Sequence, residues 1–202
     1  MKIAIAILAA GRSTRMRGVN KLLQAIDGEP LVRRSVRQAL LVARDGIDVV
    51  VVIGSMPDDM RSALDGLPVS FVENSHFETG MASSIRSAVA AASSDADGLM
   101  IHLADMPDVS AADLEALIGV FVENGGQIVV QACHGGQAGN PAILPRHMFE
   151  ALMRLEGDIG ARHLIREAVT VQVEIGGSAS LDIDTPEALE AYVRRVHEGR
   201  TP

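Results

Sequence analysis

Four cations fall within ten residues near the start of the chain: Arg12, Arg15, Arg17 and Lys21. They are interleaved with the small residues Ala9, Ala10, Gly11 and Ser13, directly after an apolar run that begins at Ile3. Small side chains let a backbone approach a ligand closely, and successive N–H groups in such a turn can form an anion-binding nest. A triphosphate suits this composition; a solvated basic turn suits it as well. Lys21 adds information, because the chain has two lysines, Lys2 and Lys21, against sixteen arginines. A lysine kept inside this loop points to a compact ammonium rather than a planar fork. Two familiar phosphate loops are excluded. The dinucleotide pattern G-x-G-x-x-G is missing, since only Gly11 and Gly18 are present, and Lys21 does not follow a matching glycine as a Walker lysine would.

The complementary chemistry is acidic. Asp105-Met106-Pro107 follows an apolar run, which sets a carboxylate at a strand's carboxyl end next to a stiffening proline. Magnesium takes one or two carboxylates plus substrate phosphates, so Asp105 is a candidate ligand; the other reading is an Asp that caps the following turn. Asp182-Ile183-Asp184-Thr185-Pro186-Glu187 offers further carboxylates. Asp182 and Asp184 share a side if that segment is extended, and Asp184 could instead cap the helix that follows. Between Lys21 and Asp105 lie Gly80, Met81, Ser83 and Ser84, where glycine and serines at a helix start suit an anion, a base edge or simple capping. A polar stretch, Gly135 to Pro141, reads as a hairpin-like loop, and Gly157-Asp158-Ile159-Gly160-Ala161-Arg162 forms a second glycine-rich turn.

The elements that must position these residues follow from periodicity and punctuation. Short β-branched or apolar runs predict strands at 3–8, 48–53, 69–72, 99–104, 127–132 and 142–144, with a one-face-wet strand at 170–175. Helical patterns cover 30–43, with Pro30 at the first helical position, then 57–64, 81–92 and 110–122. Further helices are expected at 146–155, 159–167 and 185–197. Ser110 with Asp113 forms a weaker version of the capping pattern. Alternation of this kind predicts one α/β domain over residues 1–202, a three-layer α/β/α sandwich on a Rossmann-like, mostly parallel sheet. Ligands bind beyond the carboxyl ends of such strands, which selects the loops after Leu8, Ile53, Val72, Ala104 and Ala132.

Composition removes several classes. The 202 residues carry a net charge of −8, so an anion must be held by a local cluster against the overall field. Aromatic residues are only 2% of the chain, which argues against stacking platforms for single-stranded nucleic acid. Cys133 is the sole cysteine, so neither an internal disulfide nor a Cys-rich zinc site can form, and its expected place is the core. The apolar start is too short for a signal peptide and no run reaches membrane-spanning length, so no nucleic-acid or membrane partner is expected and the location is expected to be cytoplasmic. The histidines lack metal-ligand spacing, and His102, inside a core strand, is expected to be buried and hydrogen-bonded. No Gly-x-Ser-x-Gly elbow exists for a serine hydrolase.

The stretch Leu8-Ala9-Ala10-Gly11-Arg12-Ser13-Thr14-Arg15-Met16, followed by Lys21-Leu22-Leu23, resembles the signature loop of nucleotidyltransferases with the molybdopterin-guanylyltransferase fold. Its Ala-Ala-Gly form is similar to the molybdenum cofactor cytidylyltransferase branch, whose guanylyl relatives read Leu-Ala-Gly-Gly. One departure is Arg17, an extra residue between Met16 and Gly18. The resemblance, which runs from Leu8 to about Leu189, implies transfer of CMP from CTP to the phosphate of molybdenum-bearing molybdopterin, with Mg2+ (or Mn2+) and release of pyrophosphate. It implies Lys21, Arg15 and Asp105 as catalytic residues. Leu8, Ala9, Ala10, Gly11, Arg12, Ser13, Lys21, Gly80, Met81, Ser83, Ser84 and Asp105 would bind the nucleotide. Asp105 and Asp184, with Asp182 second, would bind the metal. Gly139, Asn140 and Pro141, with Gly157, Asp158, Gly160, Ala161 and Arg162, would border the acceptor. The product's recipient would be a molybdoenzyme or its maturation chaperone. The alternatives are another phosphorylated acceptor (a sugar or alcohol phosphate), GTP in place of CTP, and a non-catalytic cofactor carrier that kept the fold.

Overall fold

The computed structural model describes residues 1–11, 20–158, 160–180 and 183–198. The first strand, β1 (Ile3–Ala9), is continuous apolar sequence because it lies at the centre of a sheet covered on both faces. A small ladder of β2 (Ala25–Ile26) and β3 (Glu29–Pro30) follows. Its two-residue turn places Asp27 at φ 54° and Gly28 at φ 79°, the backbone that an Asp-Gly hairpin turn supplies. Pro30 closes this ladder and serves as the N-cap of α1 (Leu31–Val42), one residue earlier than the sequence pattern placed it.

The chain continues through β4 (Ile47–Ile53), α2 (Pro57–Ala63) and β5 (Ser70–Glu73). Next come α3 (Met81–Ala91), β6 (Gly98–Leu103) and α4 (Ala111–Glu123). The capping box of α4 is complete: Ser110 Oγ accepts from the Asp113 N–H, and the Asp113 carboxylate accepts from the Ser110 N–H at 2.9 Å. Then follow β7 (Val129–His134), β8 (Gln137–Pro145), α5 (Phe149–Met153), α6 (Arg162–Glu167), β9 (Thr170–Glu174) and α7 (Pro186–Glu198).

Seven strands form one sheet in the order β5-β4-β1-β6-β8-β7-β9, and only β8 runs antiparallel to its neighbours. Side chains alternate across this sheet and build two cores. Ile3, Ile5 and Ile7 of β1 face α1, α4 and α7, while Ala4 and Ala6 face α3, α5 and α6. This is the expected three-layer sandwich. Cys133 is buried as expected. His102 is fully buried too, but neither ring nitrogen has a hydrogen-bond partner, which corrects the expectation of a satisfied ring. Among the described residues, no helix is long and apolar enough to cross a membrane.

The polar stretch expected as a loop at 135–141 is mostly strand. The turn is confined to Gly135 and Gly136, and β8 begins at Gln137. Gly139, Asn140 and Pro141 therefore lie on β8, and a Cβ at Gly139 would come within 2.0 Å of the Ala179 carbonyl oxygen.

Candidate functional site

After β1 the chain turns toward β4 on one side, and it later returns to β6 on the other. The carboxyl ends of β1 and β6 thus flank a topological switch point, the place where an open α/β sheet leaves a crevice. A cleft of about 500 Å³ opens there. Leu8, Ala10 and Gly11 line it from the end of β1 and just beyond, and Leu103 and Asp105 from the end of β6 and just beyond. Phe77, Glu78 and Gly80 line it from the connection between β5 and α3, and Met81 and Ser84 from the first turn of α3. Lys21, Leu22, Asp158 and Asp184 complete the lining among the described residues.

Each charged group is held by its neighbours. Lys21 opens a single 3-10 turn that Asn20 caps, its Oδ1 accepting from the Leu22 N–H at 3.1 Å, while the Leu22 side chain anchors in the core. Asp105 follows Ala104, whose N–H bonds the Leu8 carbonyl at 3.2 Å and whose carbonyl accepts from buried Ser35 of α1 at 2.9 Å. Asp184 is brought beside Asp105 by a backbone bond from the Ile183 N–H to the Asp105 carbonyl at 3.1 Å. Thr185, not Asp184, caps α7: its hydroxyl accepts from the Ala188 N–H at 3.2 Å.

Lys21 Nζ donates to Asp105 Oδ2 at 2.6 Å and also to Asp184. Burial works against the Lys21 ammonium, but the two carboxylates outweigh it and raise its pKa above the ordinary value. Burial likewise pushes the Asp105 carboxyl upward, against the pull of Lys21. Around the cleft the described residues supply one cation, Lys21, against Glu78, Asp105, Asp158 and Asp184. A polyphosphate entering such a lining needs additional positive charge. A hard divalent cation fits the donor set, because Asp105 and Asp184 both reach one point, and such ions take few protein carboxylates when phosphates complete the shell.

The structure gathers Leu8, Ala10, Gly11, Lys21, Gly80, Met81, Ser84, Asp105, Asp158 and Asp184 into one cleft. Ala9 is buried in the core rather than exposed to it. Ser83 stands behind the lining, its hydroxyl donating to the Gly80 carbonyl at 2.8 Å. Arg12, Ser13, Arg15, Ile159 and Asp182 lie outside the described residues. The segment assigned to the acceptor docks on the start of α3. The Ala82 N–H bonds the Gly157 carbonyl at 3.0 Å, and a Cβ at Gly160 would meet Met81 Sδ at 3.0 Å. Buried Ala161 and exposed Arg162 lead into α6 and are not part of the lining. Gly139, Asn140 and Pro141 are also outside it.

Sequence reasoning missed Phe77, Glu78 and the buried Asn74 behind them. Their signal was positional: they follow β5, one of the strands whose carboxyl end faces the crevice. Gly54, which ends β4, makes room for this wall, since a Cβ there would lie 2.6 Å from Phe77 Cβ and 2.9 Å from Ala10 Cβ.

A family model described as the MobA-like NTP transferase domain matches residues 5–173. The purine catabolism protein PucB of Bacillus subtilis is 33% identical over 199 residues, covering 94% of this chain and 94% of that protein. A probable molybdenum cofactor guanylyltransferase of Haloferax mediterranei is 34% identical over 113 residues, 56% of this chain and 52% of that protein. The bifunctional protein GlmU of Kineococcus radiotolerans is 32% identical over 130 residues, 63% of this chain, and the match spans only 26% of GlmU. Among solved structures, Rv0371c from Mycobacterium tuberculosis H37Rv in complex with manganese superposes with a TM-score of 0.77 at 25% identity, covering 96% of this chain and 99% of that one.

Proposed function

The chain belongs to the MobA-like NTP transferase domain family and is a nucleotidyltransferase; within that family we propose that it transfers CMP from CTP to the phosphate of molybdenum-bearing molybdopterin, releasing pyrophosphate. The observation that carries the reading is the convergence of Lys21 Nζ, Asp105 and Asp184 at the base of the cleft. Asp105 and Asp184 would hold Mg2+ or Mn2+; when bound, the ion would neutralise phosphate charge and polarise the reacting oxygens. The manganese recorded with Rv0371c supports that choice of cation.

The chain's own contribution is placement. An acceptor phosphate oxygen forms a bond to the α-phosphorus while the bond to the departing pyrophosphate oxygen breaks, so no covalent enzyme intermediate is required. Lys21 offsets charge on the phosphates, and the Ile183–Asp105 backbone bond fixes the spacing of the two carboxylates. Arg15 would add a second cation. The cytidine preference rests on Ala9-Ala10-Gly11, where the guanylyl branch has glycine at the second of these positions. Molybdopterin as acceptor is supported by the Gly157–Arg162 motif and by the naming of the Haloferax relative. A molybdoenzyme or its maturation chaperone would receive the product. Membership in a transferase family leaves the non-catalytic carrier without support.

The test is incubation with Mg2+, molybdenum-loaded pterin and each nucleoside triphosphate in turn, following pyrophosphate. Release with CTP is expected. Release with GTP instead would overturn the nucleotide assignment, and release with none would remove this acceptor in favour of another phosphorylated one.

A further inference from the structure

Asn74 leaves the end of β5 with its side chain buried, 3% exposed, directly behind the cleft wall. Its amide orientation is fixed by backbone chemistry. The His76 N–H donates to Asn74 Oδ1 at 2.9 Å, so the Nδ2 donors must face the other way. There they donate to Ser83 Oγ at 2.7 Å and to Ser84 Oγ at 3.1 Å. Ser83 passes its own proton to the Gly80 carbonyl and is complete. Ser84 is different. Its oxygen accepts from Asn74, its hydroxyl donates to no described residue, and it lines the cleft. Asn74 occupies one lone pair of Ser84 and leaves its proton without a described acceptor, so Ser84 has a proton to offer to the cleft.

We infer that Asn74 is a positioning residue that sets Ser84 as a hydrogen-bond donor to an acceptor atom on the base of the bound nucleotide, a ring carbonyl oxygen or an unprotonated ring nitrogen. This rests on the nucleotidyl-transfer reading above. The base end is indicated by distance and by charge. β5 lies three strand positions from β6, about 14 Å at ordinary strand spacing, so Asn74 stands well away from the Lys21–Asp105 end where phosphates are neutralised. The wall nearest to it carries Phe77 and Glu78, an apolar ring and an acid, which is poor company for phosphate.

The polarity makes a specific test. In Asn74→Asp the amide donors are replaced by acceptors; Ser83 and Ser84 then turn their protons inward, and Ser84 presents a lone pair to the base. Ser84→Ala removes the donor without touching the buried network's anchor. Both variants and the wild-type protein are titrated with CTP and, separately, with inorganic tripolyphosphate, each with Mg2+, and their melting temperatures are recorded. CTP affinity is expected to fall about tenfold or more in both variants, the loss associated with one hydrogen bond to a base edge. Tripolyphosphate affinity is expected to stay within about twofold, since that probe has no base. A Ser84→Ala protein that binds CTP as tightly as wild type overturns the inference. So does an equal loss for tripolyphosphate, which would mean the cleft had simply been disturbed. If Asn74→Asp fails to fold, Ser84→Ala alone decides. Wild-type protein that does not bind CTP would bring down the CTP-transfer reading itself, whereas binding by wild type with no change in the variants would remove only the role of Asn74 and Ser84.

Discussion

Gly80→Ala should damage both the fold and the cleft, and the cost can be built from geometry. Gly80 sits at φ 105°, ψ 177°, a conformation essentially reserved for glycine. Forcing an L side chain into it costs about 1–3 kcal/mol. An added Cβ would also lie 2.4 Å from Asp158 Oδ1 and 2.5 Å from the Gly157 carbonyl oxygen. The carboxylate can rotate aside. The carbonyl cannot, because it belongs to backbone that accepts the Ala82 N–H at 3.0 Å. Relief therefore requires the 157–158 turn to recede and that bond to break, adding about 1 kcal/mol. The total is about 3 kcal/mol, with the wall formed by Asp158 and Ser84 pulled open. Urea unfolding measures the first effect and CTP titration the second. Gly119→Ala is the control: Gly119 lies inside α4, nothing stands within 4 Å of its Cβ position, and helix propensity should stabilise the variant by about 0.5–1 kcal/mol. A Gly80→Ala protein within about 1 kcal/mol of wild type that binds CTP normally would refute the argument that the two glycine-rich turns are locked together.

Two further outcomes follow from buried polar groups. Burial holds His102 at a pKa of about 4, below its ordinary 6.5, so its folded state resists protonation: stability is intact above about pH 6.5 and is lost as pH falls toward 4. At pH 5 the loss amounts to about 2 kcal/mol relative to pH 7, and His102→Leu should flatten that slope in urea unfolding without destabilising at neutral pH; an unchanged slope would clear His102 of the effect. Lys21→Met removes the cation shared by Asp105 and Asp184, so turnover should fall by about 10²-fold or more and the melting temperature should drop. Millimolar Mn2+ should restore the melting temperature but not turnover; a variant that melts like wild type without metal would contradict the electrostatic account.

The strands were legible where burial is two-sided. β1, β4 and β6 are apolar at nearly every position because helices cover both faces of the sheet, and their runs stand out without any alternation. β8 was legible only in its second half. Its pairing with β6 covers Ala142 to Pro145, while residues such as Ala138 and Gln137 pair with β7 alone. The first half therefore has an open side, tolerates Gln137, Asn140 and Pro141, and reads as loop. The same logic divides the site. Lys21 and Asp105 could be found from residue type, since a rare lysine and a strand-ending aspartate carry their chemistry in themselves. Asn74 could not. Nothing in its neighbours marks it; its role comes from α3 folding back so that two serine hydroxyls meet its amide. Gly157 and Asp158 show the converse limit. Their motif was visible, and its assignment to the acceptor side came from family likeness. The contacts with Gly80 and Ala82 tie that turn to the wall facing the nucleotide. A substitution in this turn should therefore alter nucleotide affinity as well as acceptor affinity, because one backbone bond serves both walls of the cleft.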